Sequence, residues 1–485
     1  MVLGFGFVVS AVLVVLVLVA TLTYASLTHG LPPVEELYVL LNPLDGLLLQ
    51  PTRLYDRTGV HLVATLAPTD TTRTYIPLSS FPQAFVDATL ALSDPGFWTS
   101  PGYVIGGWQD TSNHPTLAQN LVSNLLLWDV PASPVRGIHE RMLAAQVTAQ
   151  YGRQQVLEWT LNSTDYGHFA YGAEAAAQLY FGKSVSELDL SEGAMLAAVG
   201  QAPALNPIDA PVLAEQHREM TLLVMQAMGF LNSEQVSQAI AIPPLLVGNG
   251  NGGTAGIAPA FVKGVLSQLD GRYGEQRVER GGLVILTSLD YDLQLQSLCT
   301  VQTYLNRLAG VNTDIPAADG SDCNAARLLP ALQEGGPIST ATASVTILDP
   351  QAGQILAEVG DVNGGNQSAL LVNHPAGTSI TPFIYLSGFT RGLNPASLGW
   401  DIPIGLPASG QVYHGPVRLR IAMANDYLPP GQSILAQMGT ESVRSVALPF
   451  GLDLPAGLLT NEFDISPLAL AAAYGIFAND GIQVG

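Results

Sequence analysis

At 485 residues the chain is long enough for two or three domains with substantial cores. It is 48% hydrophobic and has no long low-complexity tract, which excludes a disordered protein. Its 39 acidic and 18 basic side chains give a net charge of -21, which excludes nucleic acid or an anionic lipid surface as a broad electrostatic partner. An anionic substrate held by a few well-placed arginines remains open, since Lys183 and Lys263 are the only lysines.

Val2 to Leu22 is almost unbroken apolar sequence, and Met1 to Thr28 carries no charged residue. About 20 apolar residues cross the hydrocarbon core, so a transmembrane anchor is expected over residues 1–28. A cleaved signal peptide would want a basic start and a better cleavage site than Thr23-Tyr24-Ala25. No lysine or arginine flanks the segment to orient it by the positive-inside rule. A connector with turn signals fills 29–80 and includes a short hairpin from Asp56 to Ala67 around Thr58-Gly59.

From Phe81 to about Ile242 the spacing is helical, with apolar residues three and four apart in Leu117–Leu127, Ile138–Tyr151, Val156–Leu161 and Gly172–Tyr180. Asp189 and Glu192 make a capping-box pattern ahead of Ala194–Ala198. The Gly/Asn-rich stretch Gly248–Gly256 reads as an interdomain linker. A helix near Ala260–Leu269 and a strand at Gly282–Ser288 follow it. Cys299 and Cys323 lie 24 residues apart; bonded, they would stabilise their loop by about 3 kcal/mol, and two free thiols are the other reading. A hairpin around Asp349-Pro350-Gln351-Ala352-Gly353 opens a further module near Thr340. The domains expected are 81–245, a linker region 246–340, and 341–485.

Residues 88–207 carry a continuous set of motifs. Leu157-Glu158-Trp159-Thr160-Leu161-Asn162 looks like "ILE-x-YLN", and Tyr171-Gly172 through Tyr180-Phe181-Gly182-Lys183 looks like "YG-x-E-x-AA-x-x-YFGK". Glu187-Leu188, Leu190, Glu192, Ala194, Leu196-Ala197 and then Pro203 with Asn206-Pro207 complete the pattern. The segment resembles glycosyltransferase family 51, the peptidoglycan polymerase module of class A penicillin-binding proteins. The resemblance implies a mainly α, lysozyme-like domain that transfers a lipid-linked disaccharide onto a glycan chain. Such chemistry needs a carboxylate base and cations for the departing diphosphate.

The family's base is the Glu of "A-x-E-D-x-x-F-x-x-H-x-G", and here that position is Ser93, followed by Asp94 and Phe97, with Ser100 at the His position. A serine hydroxyl without an activating base cannot take that proton near neutral pH. The segment resembling "GGSTITQQ" keeps Thr116 and Gln119, and Asn124 is kept beyond it, while a basic residue is replaced by Ser123. "RK-x-x-E" becomes Arg136-Gly137-Ile138-His139-Glu140, and Arg218 fits a later arginine. The resemblance thus assigns substrate contacts to Thr116, Gln119, Asn124, Arg136 and Arg218. Glu140 is either a surviving catalytic or positioning carboxylate or a helix-surface partner of Arg136 or Arg141.

From Ala343 onward the sequence resembles the penicillin-binding transpeptidase domain, through Leu348-Asp349-Pro350 to Gly360 and then Pro382-Phe383. The resemblance implies an α/β domain with an antiparallel sheet. Its Ser-x-x-Lys is replaced by Thr378 at the nucleophile and Thr381 at the lysine position. Tyr180 and Ala260 stand three residues before the lysines, so no Ser-x-x-Lys exists anywhere in the chain. Asp426-Tyr427-Leu428 takes the place of Ser-x-Asn. The Lys-Thr-Gly motif has no counterpart before Gly485, which reads as a truncated record and an incomplete sheet.

The expectation is a multidomain α+β protein, single-pass in a bacterial cytoplasmic membrane with its body outside. Its partners would be lipid II, glycan chains and other cell-wall synthesis proteins, with no nucleic acid. The sequence requires no cofactor, although the family's glycosyltransferase site allows a divalent metal. Whether it is an enzyme stays open among three readings: an inactive anchored scaffold, an atypical polymerase using Glu140 and Asp94 without transpeptidase activity, and a decaying gene.

Overall fold

The computed structural model describes residues 14–484 apart from 16, 20, 23, 24, 26, 27, 69–72, 111, 248–255, 312, 331–340, 363–372, 406–411 and 456–463. Most of the expected anchor and the expected linker at 248–256 lie outside the described residues. No described helix is long and apolar enough to cross a membrane.

The packing divides the chain into two units that interleave in sequence. The first holds residues 1–53, 65–254 and 268–285, and the second 54–64, 255–267 and 286–485. This differs from cuts at 245 and 340, for a physical reason. Thr52 donates to the Val278 carbonyl at 2.8 Å, and the Gly282 amide donates to that of Gln50 at 2.7 Å, so part of the expected linker region is folded into the first unit.

In the first unit the helices are α1 (Glu36–Leu40), α2 (Gln83–Ser93), α3 (Leu117–Leu125), α4 (Pro134–Ser163), α5 (Ala173–Phe181), α6 (Leu190–Gln201), α7 (Pro211–Ala227) and α8 (Ser233–Ala241). The chain continues through α9 (Pro259–Tyr273) and α10 (Glu275–Arg280). Strands β1 (Thr52–Tyr55), β2 (Leu62–Leu66) and β3 (Val284–Leu286) form a sheet of order β2-β1-β3. The two apolar runs expected at 138–151 and 156–161 form the two helical stretches of α4, separated by a break at Gly152, whose φ of 79° and ψ of 163° are non-helical and suit a residue without a Cβ. Ser133 caps α4 by accepting from the Arg136 amide, with Pro134 at its first position. The capping box at Asp189 and Glu192 forms as expected, starting α6.

Phe85, Val122, Leu143, Val147, Leu157, Trp159, Tyr180 and Leu196 make the core of this unit, joined by Leu37 and Leu41 of α1. Burying each large apolar side chain contributes about 1.5–3 kcal/mol.

The second unit contains α11 (Tyr291–Leu308), the antiparallel pair β4 (Ala343–Leu348) and β5 (Ile355–Val362), and β6 (His374–Pro375) paired with β9 (Asp464–Ile465). A third pair joins β7 (Leu398–Asp401) and β8 (Gly415–Arg418). Its other helices are α12 (Thr381–Phe389), α13 (Leu419–Ala424), α14 (Leu428–Met438), α15 (Thr440–Ala447) and α16 (Pro467–Ala478). The expected antiparallel sheet is present among the described residues as two-stranded ladders. Cys299 and Cys323 are bonded, with Cα atoms 6.0 Å apart, which settles the alternative left open by their spacing. Gln294 is fully buried and exchanges two hydrogen bonds with the backbone of Glu358, fixing α11 against β5.

Candidate functional site

Three cavities follow one another through the first unit. The smallest, about 70 Å³, is lined by Ser93, His114, Thr116, Asn120 and Gln201 among others. A second of about 180 Å³ shares Asn120, Thr160, Thr164 and Gly200 with it. A third of about 280 Å³ shares Asn124 and Arg280 with the second. The shared walls make one groove, with Ser93 at one end and a group of arginines at the other.

At the first end, Ser93 closes α2 and accepts a hydrogen bond from Gln201 at 2.6 Å. Asp94, only 4% exposed, accepts from the Leu117 amide at 3.3 Å. Burial pushes its carboxyl above the usual range, with the backbone amides of Leu117 and Gly96 opposing. Asp94 therefore supports the start of α3, and it lines none of the three cavities.

Glu140 is 1% exposed on α4. Gln119 donates to its Oε1 at 2.8 Å, and His114 Nδ1 lies 2.9 Å from Oε2. The reading of Glu140 as a surface partner of Arg136 or Arg141 is corrected. Arg141 donates to the carbonyls of Val104, Gly106 and Gly137, because its side chain turns into the loop before α3. Arg136 donates to Ser123 Oγ at 2.9 Å and to the Leu127 carbonyl.

His114 Nε2 lies 3.3 Å from Ser123 Oγ. Arg136 donates to Ser123, and the contacts of Ser123 with His114 Nε2 and of His114 Nδ1 with Glu140 continue the chain.

Thr116 caps α3 by accepting from the Gln119 amide, and its hydroxyl donates to the Gly102 carbonyl at 2.7 Å. Gln119 is fully buried, and its Oε1 accepts from the Val104 amide. Asn124 lines the second and third cavities, and its side chain donates to Asn120 at 2.8 Å. Arg218 lies elsewhere: fully buried on α7, it donates to Glu215, Ser191 and the Ala239 carbonyl, tying α7 to α6 and α8. It lines none of the groove cavities.

None of Phe97, Trp98 and Tyr103 lines the groove, and Phe97 sits in the core. Among the lining residues Asp165 is the sole carboxylate, and it accepts from the Gly167 amide at 2.8 Å in its own turn. No cluster of three or more His, Cys, Asp or Glu suited to a metal occurs among the described residues.

Three contributors were not singled out by sequence. His114 lies in the segment resembling "GGSTITQQ", where the pattern has a glycine, so the motif assigned it no role. Arg277 and Arg280, from the region expected to be a linker, line the third cavity with Arg136. Their spacing of three on one helix, in a chain with few basic residues, is the signal that marks them.

In the second unit, Thr378 lies in the 3₁₀ turn Gly377–Ile380 and Thr381 begins α12. Both line a cavity of about 750 Å³ with Trp400, Ile402, Ile404 and Leu428, and no ionisable side chain among the described residues lines it. Tyr427 stacks on His414 with ring centroids 4.3 Å apart, and His414 Nδ1 lies 2.8 Å from Asp401.

Residues 60–228 match the family described as "Transglycosylase". The chain is 27% identical to penicillin-binding protein 1A of Aquifex aeolicus (strain VF5), over 90% of this chain and 70% of that one. It is 24% identical to penicillin-binding protein 1A of Haemophilus influenzae, over 91% of this chain and 63% of the relative. A 2.6 Å crystal structure of the Haemophilus influenzae protein covers 89% of this chain and 68% of its own, at 20% identity and a TM-score of 0.44. The sequence matches run through both units, over roughly two thirds of the relatives' length. Residues 60–228 thus carry the transglycosylase family, and the chain as a whole is similar to penicillin-binding proteins 1A.

Proposed function

We propose that the chain is a cell-wall assembly protein that binds a lipid-linked disaccharide diphosphate, or the glycan made from it, without efficient transfer. One N-terminal helix would anchor it in the cytoplasmic membrane with both units outside, where it would meet other synthesis proteins. The observation that carries this reading is the state of the two acid–base positions. Ser93 holds Gln201 where a carboxylate is needed, and Glu140 is buried behind His114 and Gln119. Loss of a positioned base costs about 10²–10⁴ in rate. The open, polar groove supports retained binding.

The test is polymerisation of labelled lipid-linked disaccharide by the detergent-solubilised chain, beside Ser93→Glu. No product from the unaltered chain, with product from Ser93→Glu, is expected. Glycan chains from the unaltered protein at an ordinary polymerase rate would sink the reading.

A second reading, slow transfer with His114 as the base, is favoured by His114 lining the Ser93 cavity while its Nδ1 lies 2.9 Å from Glu140. Slow product formation from the unaltered chain, abolished in His114→Ala, would select it.

A further inference from the structure

The wide end of the groove is built from two distant stretches of chain. Arg136 lies in the first turn of α4, whereas Arg277 and Arg280 are three residues apart on α10, beyond the segment that matches the transglycosylase family. All three line the cavity of about 280 Å³, together with Ser123, Asn124 and Trp128.

None of these guanidinium groups forms an ion pair among the described residues. Arg136 gives Nε and Nη2 to the Leu127 carbonyl and Ser123. Arg277 gives Nη1 to the Gly281 carbonyl at 3.1 Å and lies 5.1 Å over the Trp128 ring. Arg280 gives Nη1 to the Asn124 carbonyl. Arg136 Nη1 and the Nε and Nη2 of both α10 arginines find no acceptor among the described residues. None of these five atoms is among the sealed, partnerless ones, so each reaches open space.

This arrangement is electrostatically unfavourable when empty. Arg280 is 7% exposed, and burial lowers its pKa, with Arg277 adding to the effect and Tyr171 and Asp165 opposing. Arg73 holds it in place, donating to the Glu279 carbonyl at 3.1 Å and to that of Arg280 at the end of α10 while lying 4.9 Å over the Tyr171 ring. Unpaired guanidinium groups around one cavity, in a strongly acidic chain, call for an anion with several acceptor oxygens.

We propose that Arg136, Arg277 and Arg280 form a binding site for a phosphate or diphosphate group, in which α10 supplies the positive charge that Ser123 and Gly137 do not. The proposal rests on the groove reading above and names the residues that would hold the diphosphate of its ligand.

The experiment is calorimetric titration of the full-length, detergent-solubilised chain with inorganic pyrophosphate. It is run on the unaltered protein, Arg277→Gln, Arg280→Gln and, as a charge control in the other unit, the exposed Arg420→Gln. Binding that weakens with salt is expected, reduced at least tenfold in Arg277→Gln and Arg280→Gln and unchanged in Arg420→Gln. Thermal unfolding accompanies each variant; if the buried Arg280→Gln does not fold, the half-buried Arg277→Gln decides. Absence of pyrophosphate binding to the unaltered chain, or equal affinity in Arg277→Gln, overturns the proposal. A polyprenyl diphosphate set against the matching polyprenol separates the sources: tighter binding than inorganic pyrophosphate assigns a lipid-linked ligand, and equal binding a free one. If the lipid-linked disaccharide binds with equal affinity to the unaltered chain and to Arg277→Gln, this site falls while the groove reading stands.

Discussion

Glu140 and His114 are joined at 2.9 Å, and the carboxylate is the buried partner. Its other oxygen accepts from Gln119, so this acid organises the loop before α3 from within. Glu140→Ala strands the buried Gln119 amide and the part-buried His114 and should lower unfolding stability by about 2–4 kcal/mol. Glu140→Gln keeps one acceptor and should cost less than half of that. Chemical denaturation of the two variants side by side checks the order; equal, small effects would show that the pair contributes little.

Arg218 separates a structural from a substrate role. It is fully buried and tied to Glu215, Ser191 and the Ala239 carbonyl. Arg218→Met should destabilise the first unit by about 3 kcal/mol, because Glu215 loses its partner and the carbonyl its donor. Pyrophosphate affinity, measured at a temperature where the variant is folded, should be unchanged. A selective loss of affinity without destabilisation would reverse the assignment.

Asp56 offers a pH test in the second unit. Burial opposes its ionisation, but hydrogen bonds from Thr58, His61 and the amides of Val60 and His61 prevail and hold the carboxyl at about 2. Because the folded pKa lies below the unfolded value of 3.8, the stabilisation is complete above that value and disappears as pH falls through about 2. Asp56→Asn should therefore be less stable by about 2 kcal/mol at pH 7, with the gap closing from pH 4 downward. A gap independent of pH would mean that the charge is not responsible.

Thr378 and Thr381 share a cavity lined by no ionisable group among the described residues. No covalent adduct with a fluorescent penicillin is expected, and Thr378→Ser alone should not create one, since no lysine stands at position 381 to activate it. Intact-mass spectrometry reads this directly, and an adduct on either protein would falsify it.

The sequence by itself determined the class of each unit. Apolar spacing fixed α3 and α5, Asp189 and Glu192 started α6, and the Asp349–Gly353 turn joined β4 to β5, because these signals are local and one helical turn or hairpin is enough to express them. It also determined which reactive groups are missing, since counting lysines needs no coordinates.

Tertiary structure decided what the remaining polar residues do. Glu140 meets His114 across 26 positions, Arg280 reaches the Asn124 carbonyl across 156, and Arg218 turns inward rather than toward the groove. Such pairings follow from how packed helices place distant side chains beside one another. Burial and long-range contact, which local spacing does not encode, give each charge its role.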